Sequence, residues 1–204
     1  MKLREEYDEL YKDVPRNETD RLYYIKNTLN ITDKKSAVVF EEMNRILSIP
    51  WKKFGFVIYL IPKATPRPRH NRKSGIFYVK GAKDNKKYFE KFFKKHIDEF
   101  PFITTPCKFT CISYLPIPKS MPKIEQVLAE MKVIRPAVKP DWDNLGKTYS
   151  DMIQGTLLLD DNLIIEGISK KYYSFKPRIE IQIEYMEEFD SKFNEKKIRK
   201  KVEK

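Results

Sequence analysis

The 204-residue chain carries 41 Lys and Arg against 29 Asp and Glu, a formal net charge of +12, and 41% of its residues are hydrophobic. That suits one domain with appendages and a real core. No apolar run approaches membrane-spanning length, and the N-terminus, MKLREEYDEL, mixes acidic and basic residues in a way a secretory signal does not. The positive charge is uneven: residues 1–50 hold nine basic and ten acidic side chains, and the rest of the chain holds 32 and 19. The later three quarters is therefore the part suited to a polyanion, because neutralising phosphates releases condensed counterions. A merely soluble, lysine-rich protein is the alternative that charge alone leaves open.

Residues 1–50 read as a helical extension. Leu22, Ile25 and Leu29 recur at helical spacing, and Thr32 or Asp33 can cap a second helix to about Leu47, with Val38, Val39, Met43, Ile46 and Leu47 as its apolar stripe. Near-neutral charge argues against a helix-turn-helix role for this segment. Phe54 to Ile61 is a dense β-branched and aromatic run, read as a buried strand that Pro62 stops. A Pro/Arg loop, PKATPRPRHNRKSG, fills 62–75, and Ile76 to Val79 reads as a short strand. A lysine-rich helix is expected over 84–97, with Tyr88, Phe92 and Phe93 on one side. Phe109 to Leu115 is the next strand, and Ser120 is an expected N-cap for a helix over about 122–132.

The last third is the most patterned. Asp143 to Gln154 reads as a helix packing through Leu145, Thr148, Tyr149, Met152 and Ile153, with Gly155 placed just past its end. Residues 164–174 and 178–185 read as two strands joined near Pro177. The second, RIEIQIEY, alternates apolar and polar residues without exception, as a half-buried antiparallel strand does. From Asp190 onward a basic tail is expected to be mobile or weakly helical. Cys107 and Cys111 fall four apart on one face of a strand, about 13 Å by strand rise, too far for a disulfide. Without a second Cys pair or neighbouring His, they read as reduced core thiols, which suits a cytoplasmic setting. The fold class expected is α+β (mixed α/β), a small mixed sheet flanked by helices. The expected divisions are a helical extension over 1–50, a main domain over 51–187 and a basic tail over 188–204.

A basic protein needs a reason to cluster acids. This one writes KPDWDNLGK at 139–147 and LLLDDN at 157–162, placing four carboxylates in two bursts separated by one helix. If folding brings the bursts together, the carboxylates repel unless a cation neutralises them. Hard divalent ions with oxygen ligands, Mg²⁺ or Mn²⁺, do this, and an open coordination sphere then holds a phosphate oxygen and activates a water. Lys147 lies one turn past Asp143, able to hold a phosphate or stabilise developing charge. The plain structural alternatives stay open: Asp141 or Asp143 as helix cap, Lys147–Asp151 as an i,i+4 pair, Asp160–Asp161 as a turn. A calcium loop is rejected, since Leu145 and Met152 occupy positions five and twelve of DWDNLG and its continuation.

KPDWDNLGK, an apolar helix, Gly155, LLLDDNLI and the basic-aromatic strand SKKYYS together resemble the core signature of RusA-type Holliday-junction resolvases. The upstream hydrophobic strand, the loop PRPRHNR and the lysine-rich helix are similar too, so the resemblance covers roughly 54–186. It implies a Mg²⁺-dependent endodeoxyribonuclease, with Mn²⁺ as a substitute, acting on four-way junctions and related branched DNA in recombination, repair or phage DNA processing. It also implies a mixed sheet flanked by helices and a homodimer whose two sites nick symmetric strands. By position, the family's three aspartates and lysine fall on Asp141, Asp143, Asp161 and Lys147, with Asp160 a neighbouring or alternate ligand. Its setting is the cytoplasm of a bacterial cell or phage-infected host. Residues 1–50 and the tail depart from the family pattern.

Candidate DNA contacts are Arg67, Arg69, His70, Arg72 and Lys73 in the Pro/Arg loop, where proline lowers the ordering cost. Lys80, Lys83, Lys86 and Lys87 extend the patch, and Lys139, Lys170 and Lys171 adjoin the acidic motifs. Tyr172 and Tyr173 are read as core or as base-stacking groups, and His96 as surface. Two other classes compete: a non-catalytic DNA-binding or architectural protein, and a phage replication-partner adaptor acting through residues 1–50.

Overall fold

A computed structural model describes residues 33–65, 69–71, 75–77 and 83–202. The chain divides into two compact units, 1–49 and 50–204. In the first, helix α1 (Asp33–Leu47) matches the expected second helix. Arg45 forks onto Glu42 at 2.9 and 2.7 Å in its last turn, and Ser48 Oγ donates to the Arg45 carbonyl. Val38, Met43 and Leu47 of its apolar stripe are exposed. The helix expected around Leu22 to Leu29 lies outside the described residues.

The second unit is built on a four-stranded sheet in the order β1-β6-β4-β5, comprising β1 (Trp51–Ile58), β4 (Cys107–Pro116), β5 (Ile164–Ser174) and β6 (Arg178–Met186). Strands β1 and β4 flank β6 antiparallel, and β5 joins β4 in parallel, so the sheet is mixed. A separate ribbon pairs β2 (Arg69–Asn71) with β3 (Gly75–Phe77). The helices are α2 (Lys83–His96), α3 (Lys123–Glu130), α4 (Trp142–Ile153) and α5 (Lys192–Val202), with short 3₁₀ turns at Ile97–Glu99 and Asp161–Leu163.

The alternation of β6 decides the layering. Ile179, Ile181 and Ile183 are buried and meet Phe56, Ile58, Phe109 and Cys111 on the same sheet face. Helices α2 and α4 close that core from above: Phe93 meets Phe56 edge-on at 5.3 Å, and Phe89 stacks on Tyr149 at 5.5 Å. Each wholly buried Leu or Ile contributes roughly 1.5–3 kcal/mol relative to exposure. Leu145, Ile153, Leu157 and Leu158 are all at 0% exposure, so apolar burial pins α4 and its exit turn to the core. Both cysteines are buried and unpaired.

Three sequence expectations shift. Strand β1 starts at Trp51 rather than Phe54 and ends at Ile58 rather than Ile61. The polar start is carried by pairing: Trp51 opposes Met186, Lys52 pairs with Glu187, and Lys53 Nζ lies 3.3 Å from Glu184. Ser120 does not cap α3; Pro122 occupies the N-cap position with no side-chain bond, its fixed φ suiting a helix entry. The basic tail forms a regular helix, α5. Among the described residues, no helix is long and apolar enough to cross a membrane.

Candidate active site

Helix α4 presents two faces with separate tasks. Leu145, Thr148, Tyr149 and Ile153 face the core, while Asp141, Trp142, Asp143 and Lys147 stay exposed along one edge. Asp141 stands at the N-cap with φ −68° and ψ 146°, yet its side chain makes no capping bond; only its carbonyl enters the helix, accepting from Leu145 N–H at 3.1 Å. Capping therefore does not account for this carboxylate. Lys147 Nζ is 3.7 Å from Asp151 Oδ1, with the two side chains 71% and 47% exposed. An exposed i,i+4 pair of this kind is weak and leaves the ammonium able to exchange partners.

The head of α4 is seated on the middle of β5. Ser169 Oγ donates to the Trp142 carbonyl at 2.7 Å, and Lys171 Nζ donates to the Val138 and Pro140 carbonyls at 2.7 and 3.1 Å. A β-carbon on Gly146 would come within 3.1 Å of Ser169 Cβ, so glycine is what lets the helix lie so close to the strand. The sequence signal for this was a glycine in mid-helix, which is destabilising by roughly 1 kcal/mol unless packing needs it. Between helix and strand runs a cleft of about 250 Å³ lined by Asp143, Lys147 and Ser150 on one wall and Ile164, Gly167 and Ser169 on the other.

The inner face of α4 also holds the root of the Pro/Arg loop. Tyr149 Oη accepts from Lys63 N–H at 2.9 Å and donates to the Lys63 carbonyl at 3.1 Å, while Thr148 Oγ1 accepts from Thr65 N–H at 2.7 Å. Asn85 Nδ2 lies 3.4 Å from the same Tyr149 oxygen and tethers α2 to the group. Burial pushes the Tyr149 hydroxyl well above its usual range, so it stays protonated and able to donate. The sequence marked Thr148 and Tyr149 as packing residues; their polar tips join the acid-bearing helix to the basic loop.

The second acidic burst lies elsewhere. After α4, the Leu157 and Leu158 amides both return to the Ile153 carbonyl, and Ile103 brackets this turn from the other side. Asp160 then accepts from Asn162 N–H at 3.0 Å and caps the 3₁₀ turn that begins at Asp161. Helix α4 runs antiparallel to β5, since Pro140 sits by Lys171, Gly146 by Ser169, and Ser150 shares the cleft with Ile164. Asp141 and Asp143 are thus at one end of the helix, and Asp160 and Asp161 follow the other. The rise from Asp141 to Ile153 is about 18 Å. Among the described residues, no three His, Cys, Asp or Glu side chains lie close enough to hold one ion. Within one chain the condition left open by the sequence, that folding gathers both bursts, is not met among the described residues: a helix spanning a parallel crossover keeps its two ends apart. Asp141 and Asp143 are the two carboxylates that the head of α4 itself presents.

The expected DNA contacts divide. Lys86, Lys87, Lys139 and Lys170 are exposed, whereas the Lys171 ammonium braces the 138–140 segment. Arg69 and His70 lie in β2 and Lys83 opens α2; Arg67, Arg72, Lys73 and Lys80 lie outside the described residues. Tyr173 is buried, and Tyr172 packs 5.9 Å from Tyr114 with the Lys132 ammonium over its ring. His96 is half-buried rather than plain surface, bonded to Glu99 at 2.8 Å and packed on Phe92.

Residues 60–184 match the family model described as Endodeoxyribonuclease RusA. The chain belongs to the RusA endodeoxyribonuclease family. The matched stretch runs from the exit of β1 into β6 and contains Asp141, Asp143, Lys147, Asp160 and Asp161, so the whole acidic constellation sits in the RusA part of the molecule. The chain is also similar to a protein of Bacillus subtilis (strain 168), "Uncharacterized protein YqaN", at 31% identity over 134 residues, 63% of this chain and 93% of that protein. As a RusA family member the chain is a DNA-cleaving hydrolase by class. Residues 1–59 and 185–204 fall outside the RusA match.

Proposed function

We propose that the protein is a Mg²⁺-dependent, structure-selective endonuclease that resolves Holliday junctions and related branched DNA as a homodimer, in recombination, repair or phage DNA processing. The observation that carries this reading is the exposed head of α4, where Asp141 and Asp143 stand beside Lys147 in a RusA-family chain with a strongly basic body. Asp141 and Asp143 offer hard oxygen donors suited to Mg²⁺ or Mn²⁺; the resemblance to the family would add Asp161, which in one chain follows the opposite end of α4. A cation held there would supply Lewis acidity toward the scissile phosphate.

The remaining work falls to the chain's own groups. Lys147, on a rigid helix with a flexible stem, holds a non-bridging phosphate oxygen and offsets charge as it builds. Lys139 and Lys170 flank the head of the helix and take neighbouring phosphates. The loop tied to α4 through Tyr149 and Thr148 carries Arg67, Arg69, His70, Arg72 and Lys73 to the junction arms. Phosphate contacts of this kind set position and affinity, not base sequence.

The test is a cleavage assay on a synthetic four-way junction and a linear duplex, each with Mg²⁺ or EDTA. Wild type should nick the junction only with Mg²⁺. Asp143→Asn should bind the junction at least as well, having lost one negative charge, and should not cut it. Junction binding by the wild type without metal-dependent scission would instead make the chain an architectural DNA-binding protein.

A further inference from the structure

The place of Asp141 is set by the backbone around it, because its side chain makes no capping bond. The chain reaches it through a segment that helix and sheet do not hold. The amides of Val133 and Ile134 both return to the Leu128 carbonyl in the last turn of α3, and the Asp141 carbonyl is where the first bond of α4 lands, from Leu145 N–H. Residues 135–140 run between these two points outside any helix or strand, and Pro136 and Pro140 have no N–H to donate there.

Two side chains of β5 grip that backbone. Lys171 Nζ donates to the Val138 and Pro140 carbonyls at 2.7 and 3.1 Å, and Ser169 Oγ donates to the Trp142 carbonyl at 2.7 Å. The carbonyls on both sides of Asp141 are therefore held from the strand. Ser169 and Lys171 are two residues apart and share one face of β5. Their partners on β4 are Cys111 and Ser113, both wholly buried, so this is the inner face of the sheet. A lysine on an inner face is costly unless its ammonium finds acceptors. Lys171 finds two backbone oxygens for its three donors. Lys170, one residue earlier, falls on the opposite face and is exposed.

We infer that Lys171 is a positioning residue of the nuclease site, fixing the peptide units that lead into Asp141 so that its carboxylate is held ready for a divalent ion, and that it is not a phosphate contact. The inference rests on the nuclease reading above. A compact ammonium suits the task, since it can serve two carbonyls at once through charge-assisted bonds, which are roughly twice as strong as neutral ones. Ser169, with one O–H, serves one. The two roles open to Lys171 predict different losses. Removing a group that orients a metal ligand commonly costs about 10–100-fold in metal affinity or activity. Removing a phosphate contact lowers the log–log salt slope of binding by about 0.9 and leaves metal affinity alone.

The test compares the full-length wild type with Lys171→Met, which keeps an apolar stem and removes the donors, and Lys171→Arg, which keeps charge and donors. In the metal-free protein, the Leu145 amide should exchange its hydrogen about tenfold faster in Lys171→Met, because the bond it makes to Asp141 opens more often. The Leu157 amide, at the other end of α4, should keep its wild-type rate. Mn²⁺ affinity, measured by electron paramagnetic resonance, should fall about 10–100-fold, and kcat on a four-way junction by a similar factor. KM should stay within about twofold, since the junction is bound elsewhere. Lys171→Arg should remain within about tenfold of wild type in Mn²⁺ affinity and kcat. Junction binding in EDTA should keep the wild-type salt slope in both variants. A slope smaller by about 0.9 with unchanged Mn²⁺ affinity makes Lys171 a phosphate contact and overturns the inference. Equal acceleration of exchange at Leu145 and Leu157 shows a general loss of stability and overturns it too. Lys171→Gln, with a donor too short to reach both carbonyls, carries the same expectations if Lys171→Met does not fold; failure of both to fold makes Lys171 a requirement of the fold and overturns the positioning role. Wild type that neither binds Mn²⁺ nor cuts overturns the nuclease reading itself, before any variant is compared.

Discussion

Replacing Tyr149 by Phe tests how tightly the acid-bearing helix is coupled to the basic loop. The substitution keeps the ring, its stacking on Phe89 and its complete burial, and removes one oxygen. That oxygen bonds both the amide and the carbonyl of Lys63, at 2.9 and 3.1 Å, and lies 3.4 Å from the Asn85 amide. Asn85 is itself buried, so at least one donor loses its partner where water enters poorly. Two good hydrogen bonds at about 1 kcal/mol each give an expected loss of about 2 kcal/mol. For a chain of this size the loss corresponds to about 4–8 °C in Tm. Both tryptophans, Trp51 and Trp142, lie in the 50–204 unit, so their emission during urea unfolding reports that unit by itself. The midpoint should fall with the slope unchanged. Junction affinity should also weaken, since the root of the loop is no longer held. A stability loss below about 0.5 kcal/mol, the level of an ordinary surface change, would refute the coupling.

Other substitutions follow from the same packing. Gly146→Leu must push against Ser169 and should destabilise by about 1–3 kcal/mol while reducing cleavage, because it lifts the helix head off β5; paired urea and nicking assays read both effects. Ile181→Ala, in the centre of the buried sheet face, should cost about 2–5 kcal/mol in urea unfolding. Burial pushes the Cys107 and Cys111 thiols up to about 12. The folded chain therefore keeps protons that the unfolded chain releases above about pH 9. Their contribution to stability is intact below that pH and is lost as pH rises toward 12, and a thiol reagent at pH 8 should label both cysteines only after denaturation. Junction binding should weaken steeply with salt, each phosphate contact adding about −0.9 to the log–log slope, so that five contacts give about −4.5; a slope near zero would refute the electrostatic reading.

Much of the fold was legible because its strongest patterns are local. The alternation in RIEIQIEY gave the right face of β6, and the apolar spacing after Asp143 gave α4 to within a residue, with Gly155 at φ +76° just past it. The strand pattern is weak at Trp51 to Lys53, which are held by partners on β6, Met186 and Glu184, and by Glu187 just past its end. Ser120 looked like a cap because of its residue type, but Pro122 sits where the helix actually begins. The acidic residues stand out individually in the sequence but their grouping does not, because the distance between two bursts depends on which way the intervening helix runs along its neighbouring strand. That direction is a property of the parallel β4–β5 crossover and has no signature in the spacing of aspartates.

The division of α4 between an inner and an outer edge has a practical consequence. Asp141, Asp143 and Lys147 contribute no atom to the buried interior, so the charged edge can be stripped without disturbing what makes the helix fold. A chain with all three neutralised should remain soluble, correctly shaped and still attracted to DNA through its lysines. Such a silenced form would serve as a reagent for capturing branched intermediates intact, its grip set by one surface of the molecule and its inertness by another.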